Sequence, residues 1–318
     1  MQRQGKRGRR RGGVRVRAAR EGRAGQVYKA RQPGYGGMVD AVASATGVKR
    51  GLITFNDDGT MREQERAPRV RLSIGAWSLP HPEKVKRGGE DAHFVGRECA
   101  GVADGVGGWI EQGVDPGIYS RELMRGAADA LASTPDGGDD KAVDALRQAH
   151  MRANDAATGS TTACIAYLDT SLESVLRVAN VGDSALLLFR SGVLAFRTQA
   201  QQHAFNYPFQ LGSEGSDTAD DADIFRVNVY DGDCLVLGTD GITDNLFEED
   251  IAEIAWKGVT SGKSPSQVAR ALADAARAAS FDETSLSPFA ASARDYGLVF
   301  DGGKVDDITV VVCYVLST

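Results

Sequence analysis

From residue 69 onward the chain is built of short apolar runs, each about the length of a strand. Nine strands are predicted, at 70–77, 92–95, 99–103, 160–168, 175–180, 185–189, 225–229, 234–238 and 308–315; several alternate or are rich in β-branched residues. Two helices follow the third run. In 118–131, Leu123, Met124, Ala127, Ala128 and Leu131 recur at helical spacing, and 141–153 repeats the habit. Farther on, Ser264-Pro265-Ser266-Gln267 supplies an N-cap, a Pro at the first helical position and a Gln to complete a capping box, opening a helix through Val268, Leu272 and Ala275. Strands in runs with helices in pairs predict sheets packed on each other and covered by helices, an α+β arrangement, instead of a doubly wound βαβ sheet. No internal repeat is present.

Composition supports one sizeable core. Of 318 residues, 42% are hydrophobic and 25% charged, as in a globular enzyme. The longest apolar stretches, such as 308–316, fall far short of the roughly 20 residues that span a bilayer, so no integral membrane segment is expected. The net charge of −6 conceals an asymmetry: residues 1–31 carry twelve Lys or Arg and one acid, Glu21, which leaves 25 basic against 42 acidic side chains in the remainder. That acidic body argues against nucleic-acid binding and suits a protein that concentrates cations. The basic, acid-poor leader reads as an organelle transit peptide, with a disordered Arg-Gly tail as the alternative. Residues 1–68 are therefore assigned to leader and linker, and 69–318 to one domain. Cys99, Cys164, Cys234 and Cys313 each sit alone in an apolar run, as buried free thiols would in a reducing compartment.

The chemistry lies in carboxylates at the strand ends. Four clusters stand out: Gly-Gly-Glu-Asp-Ala-His at 88–93, Ala-Asp-Gly-Val-Gly-Gly-Trp at 103–109, Gly-Thr-Asp-Gly-Ile-Thr-Asp-Asn at 238–245 and Asp-Asp-Ile-Thr at 306–309. An apolar strand delivers Asp104 to its end, where Gly105 lets the backbone turn and exposes its carbonyl. Asp240 repeats the device and Asp244 follows it, whereas Asp306 and Asp307 precede a strand. If neighbouring strands are antiparallel, all these ends meet on one edge. Mg²⁺ or Mn²⁺ favours such oxygen ligands, whereas Zn would look for clustered His and Cys. A single Asp-Gly is usually a turn and a single Glu-Asp a solvated pair, so the joint occurrence carries the weight.

These clusters, with Gly-Ser-Thr-Thr-Ala (159–163) and Asn-Val-Gly-Asp-Ser (180–184), resemble the metal-dependent protein phosphatases, the type 2C serine/threonine class, over about residues 69–318. Pro-His-Pro-Glu-Lys (80–84), Gln-Gln-His-Ala-Phe-Asn (201–206), Ser-Glu-Gly-Ser (213–216), Ser-Pro-Phe (287–289) and Gly-Gly-Lys-Val-Asp-Asp (302–307) are similar to the family's organellar branch in plants and algae, which includes a phosphatase of photosystem II core proteins. The resemblance implies an α-β-β-α sandwich of two antiparallel sheets flanked by helix pairs, with a dimetal site at one edge. It implies two Mg²⁺ or Mn²⁺ ions bridged by Asp104, one also bound by the Gly105 carbonyl and the other by Asp240 and Asp306. Glu90 and Asp91 would hold water or ligate directly, and Asp183 and Asp244 would serve a looser third ion. The implied substrate is phosphoserine or phosphothreonine on a protein, acted on by a monomer in an organelle, chloroplast in preference to mitochondrion.

Two departures qualify this. Val106 stands where many members have a His that protonates the leaving oxygen, so a metal-bound water or His93 must serve instead. The usual phosphate-binding Arg is matched only loosely, by Lys86 or Arg87. Trp109 is read as packing that anchors the Asp104 loop, His203 as structural or groove-lining, and the acidic run 217–223 as a solvated loop. A catalytically silent phosphatase fold that binds phosphoproteins, and a small-molecule phosphatase, are the competing functions. The complete set Asp104, Asp240 and Asp306 favours activity.

Overall fold

The central apolar runs are unbroken because both faces of those strands are covered. The computed structural model describes residues 51–55, 61–65, 69–134, 141–172, 174–213, 215 and 217–318. Ten strands build two antiparallel sheets: β1 Val70–Leu79, β2 Ala92–Val95, β3 Cys99–Ala103, β4 Ala163–Asp169, β5 Val175–Val181, β6 Ala185–Arg190, β7 Val193–Arg197, β8 Asp223–Asn228, β9 Cys234–Gly238 and β10 Ile308–Ser317. One sheet has the order β7-β6-β9-β10-β1 and the other β8-β5-β4-β3-β2. Helices are α1 Pro116–Ser133, α2 Lys141–Ala156, α3 Asp240–Thr243, α4 Glu248–Thr260, α5 Pro265–Ser280 and α6 Pro288–Asp295.

Strand alternation assigns the layers. On β10, Ile308, Val310 and Val312 pack with Ile251, Ala255, Val268 and Leu272 of α4 and α5, while Val311, Cys313 and Val315 face the other sheet. On β4, Ile165 and Tyr167 meet Leu123, Ala127 and Leu146 of α1 and α2, while Cys164, Ala166 and Leu168 face inward between the sheets. The result is the expected α-β-β-α sandwich. Tyr119, Leu123, Leu187, Leu235 and Leu237 are fully buried, and each is worth about 1.5–3 kcal/mol of transfer free energy.

Differences from the expected elements are local. The helix expected over 118–131 begins two residues earlier, because Asp115 caps it, accepting a hydrogen bond from the Gly117 N–H, and Pro116 occupies its first turn. The run at 160–168 is interrupted at Thr162, whose N–H donates to the Asp104 carbonyl. Strand β7 and helices α4 and α6 were not expected; α4 starts at an apolar residue, Phe247, without a side-chain cap, so it carries no capping signal. Ser264 and Gln267 do form their capping box. Within the stretch read as linker, Gly51–Phe55 pairs antiparallel with Met61–Glu65. Residues 1–50 of the leader and linker, the basic segment included, lie outside the described residues. Among the described residues no helix is long and apolar enough to cross a membrane.

Candidate active site

Antiparallel pairing brings the acidic strand ends together. Ala92 pairs with Ala103, Gly238 with Val310 and Ile308 with Leu79, so Asp91 before β2, Asp104 after β3, Asp240 after β9 and Asp306 and Asp307 before β10 share one edge of the sandwich. Asp183, in the turn between β5 and β6, joins them, as does Asp244 one turn after Asp240.

Asp104 is pinned through its main chain. Its carbonyl accepts from Thr161 Oγ1 at 2.7 Å and from the Thr162 N–H at 2.9 Å, and its own N–H donates to Thr162 Oγ1 at 3.1 Å. The adjoining Gly105 has no room for a side chain: a Cβ would lie 2.7 Å from the Glu90 carbonyl and 2.9 Å from that of Pro116. The Trp109 indole donates to Ser160 Oγ at 2.7 Å, tying down the far end of the loop. Asp91 accepts from Thr239 Oγ1 at 2.8 Å. Glu90 is almost fully buried and receives Lys84 Nζ at 2.5 Å and the Arg87 guanidinium at 3.2 Å. Asp307 is a pin, accepting from the His81 N–H at 2.6 Å and the Glu90 N–H at 3.0 Å.

The electrostatics are those of an acidic nest in deficit of cations. Burial, then the charges of Asp240, Asp91, Asp306 and Asp183, push the Asp104 carboxyl well above the usual range. Burial and Asp307 do the same to Asp91. Burial and Asp240 raise Asp183 to about 7 and also raise Asp306. Asp244 reaches about 7 through burial, against the pull of Lys304. Burial acts on Asp240 too, but the charge and hydrogen bond of Lys304, with hydrogen bonds shared with Asp104 and Asp244, bring its carboxyl below the usual range. Three buried carboxylate oxygens, Asp91 Oδ1, Asp183 Oδ1 and Asp240 Oδ1, have no hydrogen-bond partner. A buried oxygen that keeps a charge and lacks a donor costs free energy unless a cation meets it.

Among the described residues, no three acidic, His or Cys side chains already surround a single point as a closed ligand set. Among the described residues, the cations that each reach several of these acids are ammonium groups. Lys84 lies against Glu90, Asp306 and Asp307, and Lys304 against Asp240, Asp244 and Asp306. The orphaned oxygens of Asp91, Asp183 and Asp240, the mutual repulsion and the all-oxygen chemistry fit hard divalent cations.

The remaining candidates fall around this nest. His93 is on β2 with Nδ1 3.2 Å from Ser78 Oγ, and burial lowers its pKa. Lys86 stands exposed on the short turn at 85–87, whereas Lys84, two residues earlier, reaches the carboxylates. Lys84, Lys304 and Asp307 were not assigned from the sequence, although all three lie in motifs quoted there. His203 pairs with Asp217 and stacks on Phe209 at 4.1 Å, a structural arrangement. A cleft of ≈ 240 Å³ lies beside Leu187, Arg197, Thr243 and Phe247, and a small hollow lined by Ser78, Asp91, Asp307 and Thr309 adjoins the nest.

Residues 96–315 match the family described as Stage II sporulation protein E, within the type 2C phosphatase fold. The chain belongs to the PPM, or type 2C, protein phosphatase family. It is 42% identical over 252 residues to probable protein phosphatase 2C 80 of Arabidopsis thaliana, an alignment covering 78% of this chain and 60% of that protein. The chain therefore spans less than two thirds of that relative's length. The X-ray structure of the photosystem II phosphatase PBCP superposes with a TM-score of 0.67 at 36% identity, covering 76% of this chain and 98% of that one. The catalytic domain of the serine threonine protein phosphatase PstP, in complex with two manganese ions, shares the fold at 19% identity, with a TM-score of 0.58 over 78% of this chain and all of that one.

Proposed function

We propose that the chain hydrolyses phosphoserine and phosphothreonine on proteins, using two Mg²⁺ or Mn²⁺ ions held between Asp104, Asp240, Asp306, the Gly105 carbonyl and the Glu90–Asp91 pair. The observation that carries this reading is the set of buried, mutually repelling carboxylates with orphaned oxygens at one sheet edge. When bound, such ions acidify water and neutralise the charge of the phosphoryl group in an in-line displacement. Asp104, which feels four other carboxylates, is the central ligand. Its geometry is set by Thr161, Thr162 and Gly105, so it enters the reaction already oriented.

The protein groups supply the rest. Arg87 stands half-exposed beside Glu90, and with Lys84 it offers the phosphate a cationic flank next to the nest; Lys86 is available on the outer side of the same turn. Thr309 Oγ1, Ser78 Oγ and His93 Nδ1 form a hydrogen-bonded chain, at 3.0 and 3.2 Å. His93, as an imidazolium whose Nδ1–H donates to Ser78 Oγ, is assigned the role of protonating the leaving oxygen in place of the His that Val106 replaces.

Residues 69–318 form the catalytic domain on this reading, and 1–68 serve as leader and linker. The likeness to a photosystem II phosphatase supports an organellar, chloroplast setting. A fluorescent fusion of the first 70 residues tests that setting. The domain is expected to act as a monomer on phosphoprotein substrates. Turnover of phosphopeptides with Mn²⁺, with EDTA and by Asp104→Asn tests the mechanism: activity that survives EDTA, or an unimpaired Asp104→Asn, refutes it. Phosphopeptide binding without turnover would favour the silent regulator instead.

A further inference from the structure

Lys304 sits in Gly-Gly-Lys-Val-Asp-Asp, and its ammonium is enclosed by acids. Nζ lies 2.5 Å from Asp240 Oδ2, 2.8 Å from Asp244 Oδ2 and 3.4 Å from Asp306 Oδ2, with the side chain only 18% exposed. An ammonium carries three N–H donors and no acceptor, and three carboxylate oxygens surround this one. The ring of Phe289 adds a cation–π contact, 5.1 Å from Nζ to its centre.

The backbone shows that this placement is built in. The Lys304 N–H donates to Asn245 Oδ1 at 2.9 Å, while Asn245 Nδ2 donates to the Lys304 carbonyl at 2.9 Å and to that of Gly241 at 3.0 Å. One buried amide thus ties Lys304 to the turn that carries Asp240 and Asp244. Phe289 is bound to the same turn, its N–H donating to the Asp244 carbonyl at 3.1 Å. Lysine, aromatic ring and both aspartates are one clamped unit.

The nest is divided as a result. On its outer side Asp240 Oδ2 and Asp244 Oδ2 already have a cation. Asp240 Oδ1, Asp91 Oδ1 and Asp183 Oδ1 have no partner. The unmet demand for positive charge is therefore at Asp91, Asp183 and the second oxygen of Asp240, and not at the Asp240 and Asp244 oxygens that face Lys304.

We propose that Lys304 is a tethered cation that occupies the place of the looser third ion between Asp240 and Asp244, so that this protein binds two divalent ions where the outer carboxylates would otherwise take a third. The proposal rests on the dimetal reading above. Retention of Lys304 is favoured because its backbone is fixed by Asn245, and a tethered group loses little further freedom on staying in place.

The test is calorimetric titration of the full chain with Mn²⁺ alone, with circular dichroism as the check on folding. Wild type is expected to bind two ions and Lys304→Gln three, the extra one disappearing again in Lys304→Gln/Asp244→Asn. In parallel, wild type with and without Mn²⁺ is treated with an amine-reactive acetylating reagent and Lys304 is followed by peptide mass spectrometry; it should stay protected in both states. Three ions in wild type, a folded Lys304→Gln that still binds two, or Lys304 labelling that appears on adding Mn²⁺ would each overturn the proposal. Should Lys304→Gln not fold, the wild-type count and labelling decide. No Mn²⁺ binding at all would sink the dimetal reading with it, whereas two ions in both proteins removes only the tethered cation.

Discussion

Gly241 should be among the least replaceable residues near the nest. It follows Asp240 in the turn after β9, and a Cβ placed on it would lie 2.0 Å from the Asp307 carbonyl oxygen and 3.0 Å from Ile308 Cγ1. Ordinary contact begins near 3.4 Å, so Gly241→Ala forces the turn and the start of β10 apart by about 1.4 Å. Neither side yields easily. Asp307 is held by the His81 and Glu90 N–H groups, and the Gly241 carbonyl accepts from Asn245. Overpacking of this kind costs about 1–3 kcal/mol, and contact with backbone on a pinned strand places Gly241→Ala near the top. For a domain of this size that corresponds to a fall in Tm of roughly 6–12 °C. Because the displacement separates Asp240 from Asp306, the thermal stabilisation gained on adding Mn²⁺ should shrink as well. Gly108→Ala is the control: nothing lies within 4 Å of its Cβ, so it should melt within about 0.5 kcal/mol of wild type. Calorimetric melts of the three proteins, with EDTA and with Mn²⁺, read this directly. A Gly241→Ala protein that melts with wild type would refute the close approach of the two segments.

The buried pair of Arg177 and Asp169, on neighbouring strands at 3.3 Å, gives a second expectation. Arg177→Ala should cost about 3 kcal/mol, the low end for breaking a buried pair, since Ser171 still donates to Asp169. In urea denaturation, Asp169→Leu/Arg177→Met should recover most of that loss, and no recovery would show that the pair is not what holds the site. Third, Cys164, Cys234 and Cys313 are buried, and burial raises their thiol pKa values, that of Cys234 to about 12. Native protein at pH 8 should react with Ellman's reagent at no more than one thiol, the partly exposed Cys99, and all four should react in guanidinium.

The sequence by itself determined nine of the ten strands of the two sheets, helices α1, α2 and α5, and the order of the acidic clusters. Apolar runs such as 234–238 and 308–315 are local patterns, and the Asp-Gly steps at 104 and 240 mark where the chain must turn. Those signals survive without knowledge of partners. The tertiary structure decided what each acid faces. Glu90 is bonded through its N–H to Asp307, 217 residues away, and Lys304 reaches Asp240 across 64 residues; neither contact leaves a periodic trace in the sequence. That is why the sequence assigns no role to Lys84 or Lys304, and why Lys86 and Arg87, nearer the Glu-Asp pair in sequence, stand as the candidate phosphate ligands. Helix α4 was missed for a related reason: its first residue is anchored by packing of Ile251 and Ala255 against the sheet and not by a cap. Local propensity sets where a strand or turn begins. Only antiparallel pairing, which carries each acid to a common edge, sets which charges must live together and which cations are already there to meet them.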